Sequence, residues 1–195
     1  MSRQTTPSPA PGTAPRRPLA RAEAWLETHP ALASLGLYVL ALGLRLLYLM
    51  DLRRSLLARV PLMDEAFYHD EAWSLLRGAP RVSDADFMNP LYPRFLALVF
   101  RLVGDGPTGP FAVQFLLGAL AAPLAFLVAR RAVRPAWALV CGVAIASCAP
   151  IVFFEGLFLV EGLVLLALLA ALLCALLDPQ RLRWAALAGL AIGFA

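Results

Sequence analysis

Two neighbouring carboxylates, Asp64 and Glu65, stand in the segment Pro61-Leu-Met-Asp-Glu-Ala-Phe-Tyr-His-Asp-Glu-Ala-Trp73. A carboxylate held in place can take the proton of an attacking hydroxyl as a general base. The plainer reading of Asp64 is structural: it is placed to N-cap a helix running to Arg77, with Gly78 ending it. The two roles are compatible, because a cap fixes its carboxylate. Tyr68 and His69 follow within one helical turn. A lone His without a second spaced ligand is more often packed or exposed than metal-bound.

Two further acids, Glu155 and Glu161, interrupt an otherwise apolar stretch. Six residues apart, they point in different directions on a continuous helix, so at most one faces a given cavity. The plainer reading of Glu155 is that it marks a polar turn. Arg45 is the one charge in the first long apolar run, and Arg94 and Arg101, seven apart, share one helix stripe. Guanidinium groups fork onto phosphate or carboxylate oxygens. Snorkelling to headgroups is the plainer expectation for Arg45.

The elements that must carry these groups follow from composition. The chain has 195 residues, 61% of them hydrophobic and 15% charged, with a mean hydropathy of +0.73. A soluble domain averages roughly half apolar and a quarter charged, so this is an integral membrane protein. A disordered chain, a disulfide scaffold and an ordinary cytosolic enzyme are excluded. The net charge of +4 comes from 17 arginines, with no lysine, against 13 acids. With so much Ala, Leu and Pro, that usage looks like a GC-rich bacterial genome. Arginines that set topology beside membrane segments explain the charge better than nucleic-acid binding does. Cys141, Cys148 and Cys174 sit in apolar runs without metal-ligand spacing and read as small buried hydrophobes.

Residues 1–30 form a basic, Pro-rich tail, expected to be disordered and cytoplasmic, with room for a short helix over 21–28. Apolar runs place spans at about 31–50, 110–129, 135–154 and 160–177, and an incomplete one at 184–195. The 20-residue first run after a long tail reads as an uncleaved anchor in preference to a signal peptide. Residues 51–109, with eight acids and seven arginines, form a loop containing one apolar stretch, 91–103. That stretch would rise only ~20 Å, too short to cross, and is expected to be an interfacial helix. The arginines of the tail, of 130–134 and of 178–183 then all lie inside. The expected fold is an all-α, multi-span helical bundle with juxtamembrane helices in its outer loop. Because the last run stops at Ala195 after twelve residues, the chain reads as the N-terminal part of a larger protein.

Within this frame, the Asp64-Glu65 loop with Tyr68 is followed by Asn89-Pro90-Leu91-Tyr92-Pro93, an apolar stretch ending in Gly104, and Gln114 with Gly118. Over roughly residues 35–195 this order resembles the GT-C type membrane glycosyltransferases, and most of all the branch of protein O-mannosyltransferases and aminoarabinose transferases. The resemblance implies eleven or more helices, an active site on the outer face, and a sugar on a polyprenyl phosphate as donor. The family's first-loop Asp falls on Asp64, beside Glu65, and its second acid falls on Glu161. Asp64 is then expected to be the general base, with Glu65 beside it, and Glu161 an orienting acid. Arg45, Arg94 and Arg101 are expected phosphate contacts, and Tyr68 and His69 substrate neighbours. No metal ligand is assigned, although a divalent metal stays open. The partners implied are the polyprenyl-phosphate-linked sugar and membrane lipids, not nucleic acid. The implied location is the bacterial inner membrane, with the N-terminus cytoplasmic and the active face periplasmic. The alternative is a non-catalytic multi-span protein, a transporter piece or assembly subunit, in which Glu155 and Glu161 line a pathway through the bilayer.

Overall fold

The computed structural model describes residues 18–55, 60–79, 88–106 and 108–177, with positions 186, 187 and 189. Among these residues the chain is all-helical, with nine α-helices and no strand. Residues 1–17 and nearly all of the 184–195 run lie outside the described residues.

The tail is not irregular throughout. Helix α1 covers Pro18–Thr28 and buries Leu26, and its Glu23 pairs with Arg134 at 2.5 Å. Pro30 then restarts the chain as α2, Pro30–Leu52, at a first-turn position where the missing N–H costs nothing. Ala33, Leu37, Ala41, Arg45, Leu49 and Leu52 are its buried positions. Steps of four and three keep them on one stripe. Leu32, Leu35, Val39, Leu46 and Leu47 on its other faces stay exposed.

Proline explains the next two breaks. Helices α5, Thr108–Gly118, and α6, Ala121–Ala129, part at Ala119-Leu120, four and three residues before Pro123. Its ring excludes the bond to Ala119 O that a continuous helix needs. Likewise α7, Pro135–Ala146, and α8, Ala149–Glu155, are bent by 45° just ahead of Pro150. Helix α9, Glu161–Leu177, has 17 residues and rises ~25 Å, short of a ~30 Å hydrocarbon core. By length and composition two helices can cross a membrane, Pro30–Leu52 and Thr108–Ala129, and a third if the bent α7–α8 pair is one span. Of the four complete crossings the sequence predicts, two or three are supported among the described residues: Pro150 bends one apolar run, and α9 is described only as far as Leu177. Membrane association follows from these apolar helices.

The polar segment supplies α3, Asp64–Arg77, and α4, Leu91–Val103. Acids in the first turn of α3 and Arg77 in its last suit the helix dipole, and Gly78 (φ 63°) ends it in the left-handed conformation. Helix α4 buries Tyr92, Leu96, Val99 and Phe100, and leaves Arg94 and Arg101 exposed.

Two apolar cores result. An aromatic one joins Leu49, Tyr68, Tyr92, Leu96, Phe111, Phe115 and Phe158 at the end carrying α3 and α4. The other, small-residue core joins Leu37, Ala41, Ala119, Ala122, Phe126 and Ala138. There α2, α6 and α7 approach so closely that a Cβ on Gly142 would stand 2.6 Å from a Leu37 methyl. The three cysteines are free; Cys141 is exposed and Cys148 and Cys174 are half-buried. Cys141 is therefore not the buried residue expected, and Cys148 and Cys174 are buried only in part.

Candidate functional site

The chain enters α3 through a tight turn. Glu65 N–H donates to Leu62 O at 3.1 Å, and Met63 between them has φ 51° and ψ −119°. This is type II′ turn geometry, usually reserved for glycine, and holding it with Met stores about 1–3 kcal/mol of strain. Met63 thus occupies the N-cap without a side-chain bond, and Asp64 is the first helical residue. The expectation of Asp64 as N-cap is corrected accordingly. Its side chain is exposed.

Glu65 turns the other way and is 5% exposed. Its Oε1 accepts the Phe158 N–H at 2.8 Å, and Oε2 stands 3.5 Å from Leu62 N. Burial pushes the Glu65 carboxyl above its ordinary value, while these two N–H groups pull it back. Glu65 therefore ties the start of α3 to the α8–α9 turn.

One helical turn on, Tyr68 is buried edge-on against Tyr92, with ring centroids 4.8 Å apart at 75°. Asn89 sets Tyr92: its Oδ1 accepts from the N–H groups of Leu91 (2.9 Å) and Tyr92 (3.3 Å) at the first turn of α4. Tyr92 O–H donates to Gln114 Oε1 at 2.8 Å. Gln114 Nε2 in turn donates to Glu155 O and Leu157 O, each at 2.9 Å. The Tyr68 hydroxyl is held above its ordinary pKa by burial, then by the negative field of Glu161 and, more weakly, Asp64. Tyr92 is held well above by burial, then by Glu65 and Glu161. The fields of Asp64, Glu65 and Glu161 thus all act on this tyrosine pair. Glu161, like Asp64, is exposed and sits in the first turn of its helix, α9.

Beneath this group lies Arg45, and here two expectations are corrected. Arg45 does not snorkel: it is 0% exposed, and its Nε and Nη2 donate to Glu155 Oε2 (2.6 Å) and Oε1 (2.9 Å). Nη1 donates to Ala41 O at 3.3 Å. Glu155 is not a bare turn marker but the 2%-exposed partner of that fork. Helices pack tightly around it. A Cβ on Gly118 would collide with the Glu155 carboxylate, and one on Gly162 would stand 2.9 Å from Glu155 Cγ.

The remaining expected residues fall elsewhere. Arg94 donates to Pro90 O at 2.6 Å and, like Arg101, is exposed on α4. His69 Nδ1 lies 3.2 Å from Asp70 Oδ1, with its ring against Phe100 and Phe158. It borders an open cleft of about 480 Å³ that also takes in Trp73, Arg77 and Asp105. Among the described residues no three His, Cys, Asp or Glu side chains gather as metal ligands. Gln114, Asn89, Tyr92 and Gly118 stood in the motif order without assigned roles. The one signal for the Arg45–Glu155 pair was that each is an isolated charge in an apolar run.

Chemically, the arrangement presents two exposed first-turn carboxylates, Asp64 of α3 and Glu161 of α9, whose negative fields help keep a buried tyrosine pair protonated. The carboxylates can accept protons, and the tyrosines hold their positions. No family model, curated protein or solved structure matches the chain.

Proposed function

We propose that the chain carries the carboxylate site of a GT-C type membrane glycosyltransferase, which moves a sugar from a polyprenyl-phosphate donor to a hydroxyl of a lipid, glycan or protein. The observation that carries this reading is the Phe158 N–H bond to Glu65, which brings the start of α3, with Asp64, to the turn that leads into α9 at Glu161. Asp64, exposed and fixed by its turn, accepts the proton of the attacking hydroxyl as oxygen bonds to the anomeric carbon and the polyprenyl phosphate departs. Glu161 orients the acceptor. The departing phosphate needs a cation. Arg45 is given over to Glu155, so Arg94 and Arg101 on the exposed side of α4 are the better candidates. In this reading the chain sits in a bacterial plasma membrane with α3 and α4 on the outer face.

The rival reading, a transporter piece or assembly subunit, requires Glu155 and Glu161 to line one pathway. Glu155 is closed off by Arg45 and the backbones at Gly118 and Gly162, which favours the enzyme. The deciding experiment is transfer from a labelled polyprenyl-phosphate sugar in proteoliposomes holding the protein. Asp64→Asn is expected to lower the rate about 100-fold or more, the usual share of a general base. Wild-type transfer by that variant would sink the assignment. Unchanged donor affinity in an Arg94→Ala, Arg101→Ala double variant would remove α4 from donor binding.

A further inference from the structure

A second group of charges lies away from the carboxylates, where α6 ends beside α9. Helix α6 stops at Ala129 and is followed by Arg130 and Arg131. Leu127 of α6 and Leu173 and Leu177 of α9 line the same open groove of about 350 Å³, with Arg130 and Arg131 on its wall. The C-terminal end of α6 therefore stands beside the last described turns of α9, and the negative end of the α6 dipole favours cations there. The Arg130 guanidinium lies 5.4 Å from the Phe126 ring centroid, which orients it. Nearby Arg134 is taken by Glu23. Among the described residues no carboxylate pairs with Arg130 or Arg131.

Two guanidinium groups beside a strip of leucine suit a ligand that is anionic at one end and hydrocarbon at the other. A hydrated phosphate ion would use the arginines and gain nothing from the leucines. A phosphodiester headgroup with its acyl chain uses both, as basic pockets between membrane helices do. We propose that the groove between the end of α6 and α9 binds one anionic phospholipid, its phosphate forked by Arg130 and Arg131 and an acyl chain along Leu127, Leu173 and Leu177. The bound lipid fastens α9 to α6. The site rests on the membrane reading of the apolar helices and is independent of the transferase reading.

The test uses the protein extracted in mild detergent from bilayers of equal phosphatidylglycerol and phosphatidylcholine, with retained lipid read by native mass spectrometry. One phosphatidylglycerol per chain is expected, preferred about 10-fold or more over phosphatidylcholine, whose choline cation would stand against the two guanidinium groups. The preference is expected to vanish in R130Q/R131Q and to persist in R53Q/R54Q, which removes equal charge elsewhere. Retention by R130Q/R131Q, or equal loss from both variants, overturns the site. Should R130Q/R131Q fail to fold, the wild-type protein suffices: phosphatidylglycerol must raise its Tm saturably where phosphatidylcholine does not. No such rise, or an equal rise with inorganic phosphate, overturns it. Alkaline carbonate separates the two premises. Release of the protein from membranes overturns the membrane reading, whereas retention without lipid preference overturns the site alone.

Discussion

Arg45 and Glu155, 110 positions apart in the chain, meet through two parallel N–H···O bonds of 2.6 and 2.9 Å. Neither side chain is more than 2% exposed. A buried fork of this kind adds little net stability over apolar packing, yet breaking one side strands a charge. Arg45→Ala or Glu155→Ala is therefore expected to cost about 3–5 kcal/mol, while Arg45→Met with Glu155→Leu recovers most of it. Thermal unfolding in detergent checks this. Costs that simply add in the double variant would show the two residues to be uncoupled.

Gly118 and Gly36 offer a matched contrast. A Cβ at Gly118 meets the Glu155 carboxylate, which Arg45 prevents from moving aside, whereas a Cβ at Gly36 meets nothing within 4 Å. Gly118→Ala should destabilise by about 1–3 kcal/mol through overpacking. Gly36→Ala should be neutral or stabilise by about 0.5–1 kcal/mol, because glycine weakens a helix interior. Equal Tm values for the two variants would contradict the close approach at Gly118.

For Glu65, acidity and stability are linked with a definite sign. Burial raises its carboxyl above the ordinary 4.5, so the folded state holds the proton more tightly than the unfolded chain. The protonated form's advantage is fully present below 4.5 and is lost as pH rises through the raised folded value. Glu65→Gln, still able to accept from Phe158 N–H, should remove this pH dependence without loss of stability at neutral pH. Glu65→Ala should cost about 1–3 kcal/mol by orphaning that N–H. Unfolding midpoints from pH 4 to 8 would reveal a Glu65→Gln profile as steep as wild type if the assignment is wrong.

The Tyr92–Gln114 bond separates a small loss from a large one. Tyr92→Phe leaves one buried acceptor, Gln114 Oε1, without its donor and should cost about 1–2 kcal/mol. Gln114→Leu strands the Tyr92 hydroxyl and the carbonyls of Glu155 and Leu157 together, and should cost several times more. Absorbance at 295 nm gives a second check: Tyr92 should ionise only well above pH 10, and Tyr92→Phe should delete that late fraction. A Gln114→Leu variant as stable as Tyr92→Phe would show that water reaches the turn.

Local features of the sequence were legible where their cause is local. Gly78 ends α3 because only its own φ matters, and α4 reads from the apolar stretch 91–103 with Arg94 and Arg101 seven apart on one stripe. Pro150 carries a bend that the apolar run conceals when counted as a length, and so the third span depends on reading the bent α7–α8 pair as one. The N-cap at Met63 escaped notice because side-chain preference favours Asp64, while the backbone turn that decides the matter leaves no composition signal. The Arg45–Glu155 fork and the Gln114 bonds were not legible. Their partners are tens of residues away, and a charge in an apolar run reads the same whether it snorkels or pairs. The roles expected of Asp64 and Glu161 come from the family resemblance, not from spacing.

The turn between α8 and α9 has a consequence for how this chain can vary. Side chains meet its backbone demands: Gln114 serves Glu155 O and Leu157 O, and Glu65 serves Phe158 N–H. An ordinary surface turn tolerates a residue more or less because water replaces any bond that slips. Here side chains from α3 and α5 already hold these groups, so residues 156–160 form a connector of fixed length. Inserting one glycine there should be as damaging as a core substitution, and Glu65 and Gln114 should change only in concert with that connector.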